Sequence, residues 1–247
     1  IEQPAAALSS MGAKVENPMT QTQNPDVIQR LVAAAVDHVP FDGWTGVTFD
    51  AAVADTGITP DLAWALCPRG AVDLAVAFHR AGDAAMLARL AEADLAEMRF
   101  RDRIALAVRY RLEVCEDKEV VRRGSTLFAL PQHGPTGARL IWDTCDAIWT
   151  ALGDTSRDVN WYTKRATLSA VYGSTVLFWL GDDSEGHAAT WAFLDRRIDN
   201  VMQFEKAKAG FRKSPLSRAL AGPLSLLDHI RAPAGRDDLP GHNSHKQ

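Results

Sequence analysis

The sequence predicts an all-α protein, and three observations lead to that prediction. Apolar residues recur every three to four positions along most segments, as on one face of a helix; the clearest stripe is Phe100, Ile104, Val108 and Leu112. Stretches in which apolar and polar residues alternate, as they do in half-buried β-strands, are missing. Residues 166–180 contain no charged side chain at all, which is typical of a helix buried in a core.

The composition is that of an ordinary globular protein. The chain has 247 residues, of which 47% are hydrophobic and 23% are charged, and a formal net charge of −4 argues against a general nucleic-acid binder. The uncharged run is shorter than the roughly 20 apolar residues of a membrane span, so we expect it inside the protein. The three cysteines lie far apart and indicate free thiols rather than a disulfide framework.

Three short helices are expected at the start of the fold. Residues 26–39 have helical spacing, and Thr48 is expected to cap a second helix that ends near Asp55. Thr59 then caps a third helix, because Pro60 follows it at a first-turn position that proline favours. Residues 1–24 are polar and rich in Pro, Asn and Gln, and they are expected to form a disordered leader. We therefore assign residues 25–80 to a helix-turn-helix-like module.

A larger helical bundle is expected over residues 81–207. Its helices are predicted at about 71–92, around the stripe that begins at residue 100, and at about 118–130, 137–152, 160–180 and 187–207. The first of these is expected to be interrupted at Gly82, and residues 130–137, with two prolines and two glycines, are expected to form a loop. A basic amphipathic helix is expected within residues 208–231, followed by a disordered tail at 232–247.

The charge of the first module argues against DNA binding. Three short helices before a larger helical domain resemble the fold of the TetR regulators, which read DNA with a helix-turn-helix. Residues 26–85, however, contain eight Asp and three Arg and neither Lys nor Glu, a formal charge of −5. The segment TPDLAWAL, in the place of the recognition helix, has no basic or amide side chain with which to read bases. We therefore predict a packing module, with a regulator that senses a hydrophobic ligand as the alternative.

The sequence contains no catalytic or metal-binding signature. The histidines are scattered, and no phosphate-binding loop or nucleophile elbow occurs. Asp182, Asp183 and Glu185 cluster between two helices, where a solvated loop is the simplest interpretation. We therefore expect a protein that is not an enzyme and that requires no cofactor.

Residues 158–180 combine two different surfaces in one helix. Trp161, Tyr162, Lys164 and Arg165 have the composition of a protein-interface hot spot, although the two aromatic rings can equally fold inward as a staple. Further along, small residues alternate with large apolar ones. They either allow close packing of helices or leave a slot for a long apolar ligand, toward which the flanking helices direct further aromatic residues, Trp142, Trp149 and Trp191.

The C-terminal segment has the pattern of a membrane-surface helix. Residues 205–218 carry a net charge of +4 and lead into an amphipathic stretch. The residues expected to contact an anionic membrane are Lys213, Leu216, Arg218, Leu220, Leu224 and Leu227. Packing on the bundle or exchange within a dimer is the alternative, and Pro223 is expected to kink or break the helix.

Several stretches together resemble the Coq-nine family of ubiquinone-biosynthesis proteins. The most specific is DVNWYTKRATLSAVYGSTVLFWL, followed by TWAFLDRRIDNVMQFEKAK, and RFRDRIALAVRYRLE and FDGWTGVTFDAAVADTGIT also fit. The resemblance covers residues 25–230 and implies a TetR-like fold that does not bind DNA. It further implies that the bundle binds an isoprenoid quinone or a phospholipid and that a C-terminal helix reaches the membrane. The implied partner is the di-iron demethoxyubiquinone hydroxylase of the pathway.

The resemblance also assigns individual residues. Its hydroxylase-binding surface corresponds here to Asp158, Asn160, Trp161, Tyr162 and Arg165, and its lipid-lining helix corresponds to Leu168, Val171, Tyr172 and Val176. Because residues 1–24 lack the features of a mitochondrial transit segment, we expect a bacterial protein at the inner face of the inner membrane, and we expect a homodimer. A regulator and a plain interaction scaffold without a cavity are the alternatives.

Overall fold

The computed structural model describes residues 18–212 and 231–232. Within these residues the fold is entirely helical, as predicted. The helices are α1 (Pro18–Asp42), α2 (Gly46–Thr56), α3 (Pro60–Leu66), α4 (Ala71–Glu92), α5 (Phe100–Glu113), α6 (Lys118–Ala129), α7 (Gly134–Ala151), α8 (Val159–Leu180) and α9 (Ala188–Arg212), with a 3₁₀ turn at Glu185–His187 before α9.

The first three helices form the predicted small module around their own core, to which Leu31, Val39 and Phe49 contribute fully buried side chains. Thr59 precedes α3 and Pro60 opens it, as predicted, although the Thr59 side chain makes no capping hydrogen bond. The prediction for Thr48 was wrong, because α2 begins at Gly46 and Thr48 lies inside it, where its hydroxyl donates a 2.6 Å hydrogen bond to the carbonyl of Gly43.

One long helix joins this module to the bundle. α4 runs without a break through Gly82, contrary to the predicted interruption. A Cβ atom there would lie 2.7 Å from the guanidinium of Arg111 on α5, so glycine leaves room for this buried side chain. Leu74 of α4 packs in the first core and Met86 packs in the second. The boundary drawn between residues 80 and 81 therefore falls inside a continuous helix.

The second core lies among α4, α5, α7, α8 and α9, with α8 contacting both α7 and α9. α7 begins at Gly134, inside the segment 130–137 that was expected to be a loop. Proline is tolerated in a first turn, where its missing N–H would have no helical partner, so Pro135 does not delay the helix. Gly137 lets α7 approach α6, because a Cβ atom there would lie 2.6 Å from Cβ of Phe128.

The ends of the described region differ from the expected boundaries. α1 begins at Pro18, within the stretch assigned to the leader, and α9 extends to Arg212, beyond the expected end at residue 207. The expected C-terminal helix at 214–230, the kink at Pro223 and all six predicted membrane residues lie outside the described residues. Among the residues that are described, no helix is both long and apolar enough to cross a membrane.

Candidate functional site

A cavity of about 420 Å³ lies between the small module and the bundle. Its wall comes mainly from α4 to α8, and its size falls in the range of small-molecule sites in proteins. The wall is largely apolar, and its large side chains are Trp44, Phe78, Leu112, Val120, Val121, Phe128, Leu140, Ile141, Val176, Leu177 and Trp179. An apolar molecule is therefore the ligand class that this space favours.

Glycines make part of this space available. Gly124 of α6, Gly137 of α7 and Gly173 of α8 all line the cavity, and at Gly173 no atom lies within 4 Å of where a Cβ would be. Leu177, 68% exposed, also contributes to the wall, so the cavity reaches the outer face of α8. Of the small residues of α8, Gly173 thus borders open space, and the ligand-slot interpretation of this helix stays a prediction.

A buried polar network forms one part of the wall. The guanidinium of Arg111 donates from Nε to Asp83 at 2.6 Å and from Nη2 to the carbonyl of His79 at 3.0 Å. The Thr144 hydroxyl also donates to Asp83, at 2.9 Å, and lies 2.9 Å from Nε2 of His79. Arg111, His79 and Tyr172 all line the cavity. Sequence reasoning assigned Tyr172 to the lipid site but placed neither Arg111 nor His79 at a site.

The titration of the network follows from its burial. Burial, and then the charge of Arg111, lower the pKa of His79 to about 3, so its imidazole is neutral near pH 7. Burial raises the pKa of Asp83, while the guanidinium and hydroxyl that donate to it oppose that rise. Burial likewise raises the pKa of Tyr172, whose hydroxyl is therefore a neutral hydrogen-bonding group. Because the arginine faces one carboxylate, its charge is balanced within the wall.

The structure divides the seven predicted lipid residues among different places. Tyr172 and Val176 line the cavity. The other five lie elsewhere: Leu168, Val171 and Trp149 are buried in the second core, Trp191 packs at its edge, and Trp142 is half-buried among aromatic rings. Half of the wall comes from α4, α5 and α6, which the sequence analysis had not connected with a site. Gly124 and Gly137, two glycines inside helices, were the available signal.

An aromatic cluster lies at the start of α8. Asp158 caps the helix, and its carboxylate accepts from the backbone N–H of Asn160 at 3.0 Å. The Trp161 ring packs edge-on against Tyr162, with centroids 4.7 Å apart, and lies 5.8 Å from the Trp142 ring of α7. Trp161 and Tyr162 are half-buried, whereas Asp158 and Asn160 are exposed. We call Trp142, Asp158, Asn160, Trp161 and Tyr162 the aromatic surface. The interpretation that this surface binds a partner stays a prediction.

Arg165 lies beneath this surface rather than on it, with only 2% of its side chain exposed. Its guanidinium donates to Asp146 of α7, to Asp154 of the α7–α8 loop at 2.9 Å, and to the carbonyl of Trp161 at 3.1 Å. Lys164 pairs with the same Asp154 at 2.7 Å. Burial alone would raise the pKa of Asp154, but hydrogen bonds from Lys164, Ser156 and Arg165 outweigh it and hold the pKa well below its usual range. The buried arginine thus supports the surface from below.

The chain also returns to this place after residue 230. The hydroxyl of Tyr162 donates to the carbonyl of Arg231 at 3.2 Å, and the backbone N–H of Ala232 donates to the carbonyl of Arg157 at 3.0 Å. The end of the segment predicted to contact a membrane therefore lies against the aromatic surface.

No group of three or more His, Cys, Asp or Glu side chains suited to a metal ion occurs in the part of the chain that the structure describes.

The helix order and the interior cavity define an all-helical protein with the fold of the TetR regulators. The TetR transcriptional regulator from Nitrosomonas europaea is similar with a TM-score of 0.59 at 19% identity, over 70% of this chain and 97% of that one. At this identity the similarity concerns the fold alone, and it confirms the TetR-like fold that the sequence predicted.

The sequence comparisons identify the family that this chain resembles. Residues 134–205 match the model of the COQ9 family. The chain is 31% identical over 195 residues to the mitochondrial ubiquinone biosynthesis protein COQ9 of Drosophila melanogaster. The aligned region covers 77% of this chain and 60% of that protein. The human protein of the same name is 29% identical over 182 residues, 70% of this chain and 57% of its own length. The predicted resemblance to the Coq-nine family is confirmed, and the chain spans about 60% of the length of these relatives.

Proposed function

We propose that this protein is a lipid-binding accessory protein of ubiquinone biosynthesis. It holds a polyprenyl quinone intermediate and presents it to the membrane-associated di-iron hydroxylase of the pathway, without catalysis of its own. The observation that carries the proposal is the apolar cavity along α8. The names of the relatives supply the pathway. The matched region, residues 134–205, includes the α7 and α8 walls of the cavity and the aromatic surface.

The cavity accounts for the lipid part of the proposal. Each methylene that moves from water into such a wall contributes about 0.8 kcal/mol, so a few prenyl carbons supply substantial binding energy. The cavity holds only part of a long polyprenyl chain, and its extension to the exposed Leu177 provides a path for the remainder. A phospholipid acyl chain is the other ligand that the same apolar wall accommodates.

The surface at the start of α8 accounts for the partner. Half-buried tryptophan and tyrosine rings are enriched in interface hot spots, because they bury large areas at low entropic cost. Trp161 and Tyr162 lie about four turns, or about 22 Å, before Val176 on the same helix, so a partner bound there would lie on the helix that also borders the lipid. The exposed Leu177 and Phe178 offer a second apolar face, for a second copy of this chain.

The predicted basic helix accounts for membrane contact. The net charge of +4 over residues 205–218 would hold the protein at an anionic membrane surface, each basic residue contributing about 1 kcal/mol. The contact of Arg231 and Ala232 with the aromatic surface suits this arrangement, because it keeps the proposed membrane segment beside the proposed partner site.

The lipid role is tested by extraction of the purified chain followed by mass spectrometry. An isoprenoid quinone or a phospholipid is expected to co-purify. Val176→Trp, which fills the cavity, should abolish co-purification, whereas Ala170→Trp, at an exposed position of the same helix, should not. Thermal melting of both variants is the control that checks whether they are folded. Wild-type protein without any lipid would exclude the role.

The partner role is tested by a binding assay with the purified hydroxylase. Trp161→Lys should keep the fold and abolish binding, because it removes the central ring of the aromatic surface. Thr163→Lys places the same charge at an exposed position two residues later, on the opposite side of the helix, and should bind as wild type does. Equal binding by the two variants would exclude this surface as the site.

A regulator that senses a hydrophobic ligand is the second candidate. The observation that favours it is the similarity in fold to a TetR transcriptional regulator. The acidic first module opposes it, because DNA binders obtain most of their affinity from Lys and Arg on phosphates.

A further inference from the structure

We infer that α3 is a second docking surface, for a basic segment of a partner protein that also carries apolar side chains. The α3 surface consists of Asp61, Leu62 and Trp64 on this helix, together with Asp50 of α2, which follows the Phe49 that packs against Trp64. The inference goes beyond the proposed function, because neither the cavity nor the aromatic surface includes these residues.

The apolar side chains of α3 are mostly exposed rather than packed. Ala63 is the one residue of the helix that is buried, whereas Leu62 is 41% and Trp64 is 48% exposed. A surface helix usually turns its apolar residues toward the core and its polar residues toward water, so α3 has the opposite arrangement. Grouped apolar side chains that the core does not use are typical of an interaction site.

The Trp64 ring is held in one position although half of the residue faces solvent. Its centroid lies 4.6 Å from that of Phe49, whose side chain is fully buried. A Cβ atom at Gly70 would lie 3.2 Å from Cη2 of Trp64, and the backbone there has a φ of +58°, which favours glycine. A ring that is already fixed loses little entropy when a partner covers it, and tryptophan is a frequent hot-spot residue in interfaces.

The module around α3 carries an excess of carboxylates. Residues 26–73 contain seven Asp, two Arg and neither Lys nor Glu. Asp73 pairs with Arg69, and Asp55 lies 2.7 Å from the imidazole of His38. The other five are exposed and form no ion pair with the residues that the structure describes: Asp26, Asp37, Asp42, Asp50 and Asp61. A surface of this kind attracts cationic groups and repels anionic ones.

This charge selects the class of partner. Nucleic acids and anionic membrane surfaces are polyanions, so the unpaired carboxylates oppose both. A protein segment with Arg or Lys beside apolar side chains matches the surface in two ways. Its apolar side chains pack on Leu62 and Trp64, and its basic groups pair with Asp50 and Asp61. Because Asp61 and Trp64 are three positions apart on a helix, one guanidinium can pair with the carboxylate and stack on the indole.

The α3 surface and the aromatic surface lie at different ends of the molecule. α3 belongs to the small module, which meets the end of α8 where Trp44 and Trp179 line the same cavity. The aromatic surface lies at the start of α8, where Tyr162 precedes Trp179 by 17 positions, or about 26 Å. A partner on α3 therefore does not compete with a partner on the aromatic surface.

The experiment uses a peptide of about four helical turns that is built from Leu and Arg at helical spacing, and a counterpart in which Glu replaces every Arg. Dissociation constants on the full chain are measured by fluorescence anisotropy of the labelled peptides. The Arg peptide should bind, and the Glu peptide should not. Leu62→Ser should weaken binding of the Arg peptide about fivefold or more, because it removes an apolar contact. Leu130→Ser, a matched change at a leucine of 42% exposure outside the module, should leave binding unchanged.

The charge of the surface is tested separately. Asp50→Asn combined with Asp61→Asn removes two carboxylates and keeps the size of both side chains. It should weaken the Arg peptide about threefold or more at 50 mM salt and less at 200 mM salt, because salt screens exposed charges. Asp183→Asn, at an exposed position outside the module, is the control and should change nothing. Thermal melting of each variant checks that a loss of affinity is not a loss of fold.

The inference is overturned if the Arg peptide does not bind, if it binds no better than the Glu peptide, or if Leu62→Ser and Leu130→Ser weaken it equally. It is also overturned if the full chain self-associates without peptide and Leu62→Ser abolishes that association, because a second copy then covers α3. None of these results involves the cavity or the aromatic surface, so the proposed function stands in each case.

Discussion

The guanidinium carbon of Arg165 lies 4.0 Å from the centroid of the Trp161 ring, one turn earlier on α8. The same guanidinium pairs with Asp154 and Asp146, so a buried ionic cluster holds the underside of the exposed aromatic surface. A cation against an indole face contributes about 0.5–2 kcal/mol, depending on its exposure. The orientation of Trp161 thus depends on a residue that no partner reaches directly.

Arg165→Met is expected to destabilise the protein by about 1.5–3 kcal/mol, because the change removes the buried charge-assisted hydrogen bonds to Asp154 and Asp146 while Lys164 still pairs with Asp154. Urea unfolding measures the loss. Arg139→Met is the control, since Arg139 pairs with Asp143 with 74% of its side chain exposed and should cost less than about 1 kcal/mol. Equal effects of the two changes would show that the buried cluster contributes no more than a surface pair.

Gly137→Ala is expected to destabilise the protein although alanine is the better helix former. The new Cβ would lie 2.6 Å from Cβ of Phe128, an atom fixed to the α6 backbone, so the two helices must separate. Gly173→Ala, on α8 with open space around the position, should instead stabilise by up to about 1 kcal/mol from helix propensity alone. Thermal unfolding of the two variants should therefore shift in opposite directions, and a shared direction would contradict the packing argument.

The helices were predictable because their signals are local. Spacing of apolar residues located the nine helices of the described region, although α1 begins eight positions before its expected start and α9 ends five positions after its expected end; Thr59 with Pro60 marked the start of α3. Errors arose where packing overrides a local signal. Gly82 and the glycines and prolines of the segment 130–137 are helix breakers by local rules. Within the fold, however, Gly82 lies against Arg111 and Gly137 lies against Phe128, so a glycine fits inside a helix at both positions.

The cavity was predictable only along α8. The uncharged sequence of that helix showed that something apolar surrounds it, and Tyr172 and Val176 do border the cavity. The walls from α4, α5 and α6 lie up to about a hundred positions earlier in the chain, and no local pattern shows which of their faces meet. Charged side chains were the second gap: Arg165 was expected at the surface and Arg111 was not singled out, since burial of an arginine depends on carboxylates that only the fold brings close.

Acid should destabilise the protein through His79 at milder pH than the carboxylates titrate. Its pKa falls from 6.5 to about 3 on folding, first because of burial and then because of Arg111, so the unfolded chain binds the extra proton between these values. Stability must then decrease as pH falls below 6.5, by about 2 kcal/mol between pH 7 and pH 5. His79→Gln, which keeps a donor toward Thr144, removes this dependence.

Urea unfolding at pH 7 and pH 5 tests this prediction by difference. Asp83 faces His79 at 3.7 Å, and its own titration is common to wild type and variant, so the comparison isolates the imidazole. The wild type should lose more stability than His79→Gln over this interval. An equal loss in the two proteins would mean that the imidazole is protonated in the folded state, and with it that the cavity wall carries a net positive charge.

The first module is expected not to bind DNA in the salt-dependent manner of a regulator. α3 occupies the place of a recognition helix, but its sequence PDLAWAL has one Asp and no basic residue. Trp64, 48% exposed, packs with its ring centroid 4.6 Å from that of Phe49. Such a helix neither neutralises phosphates nor offers the side chains that read base edges. Fluorescence anisotropy with a labelled duplex at 50 and 200 mM salt should show no specific binding through this module.

The basic stretch at residues 205–218 requires its own control, because a net charge of +4 can attract any polyanion. Weak binding that disappears when Lys206, Lys208 and Lys213 are changed to Gln, and that persists in Trp64→Ala, arises from that stretch and leaves the prediction intact. Binding that survives the lysine changes, prefers one sequence and is lost in Trp64→Ala would contradict the prediction. It would establish α3 as a reader of DNA despite its charge, and the regulator would then become the better description of this fold.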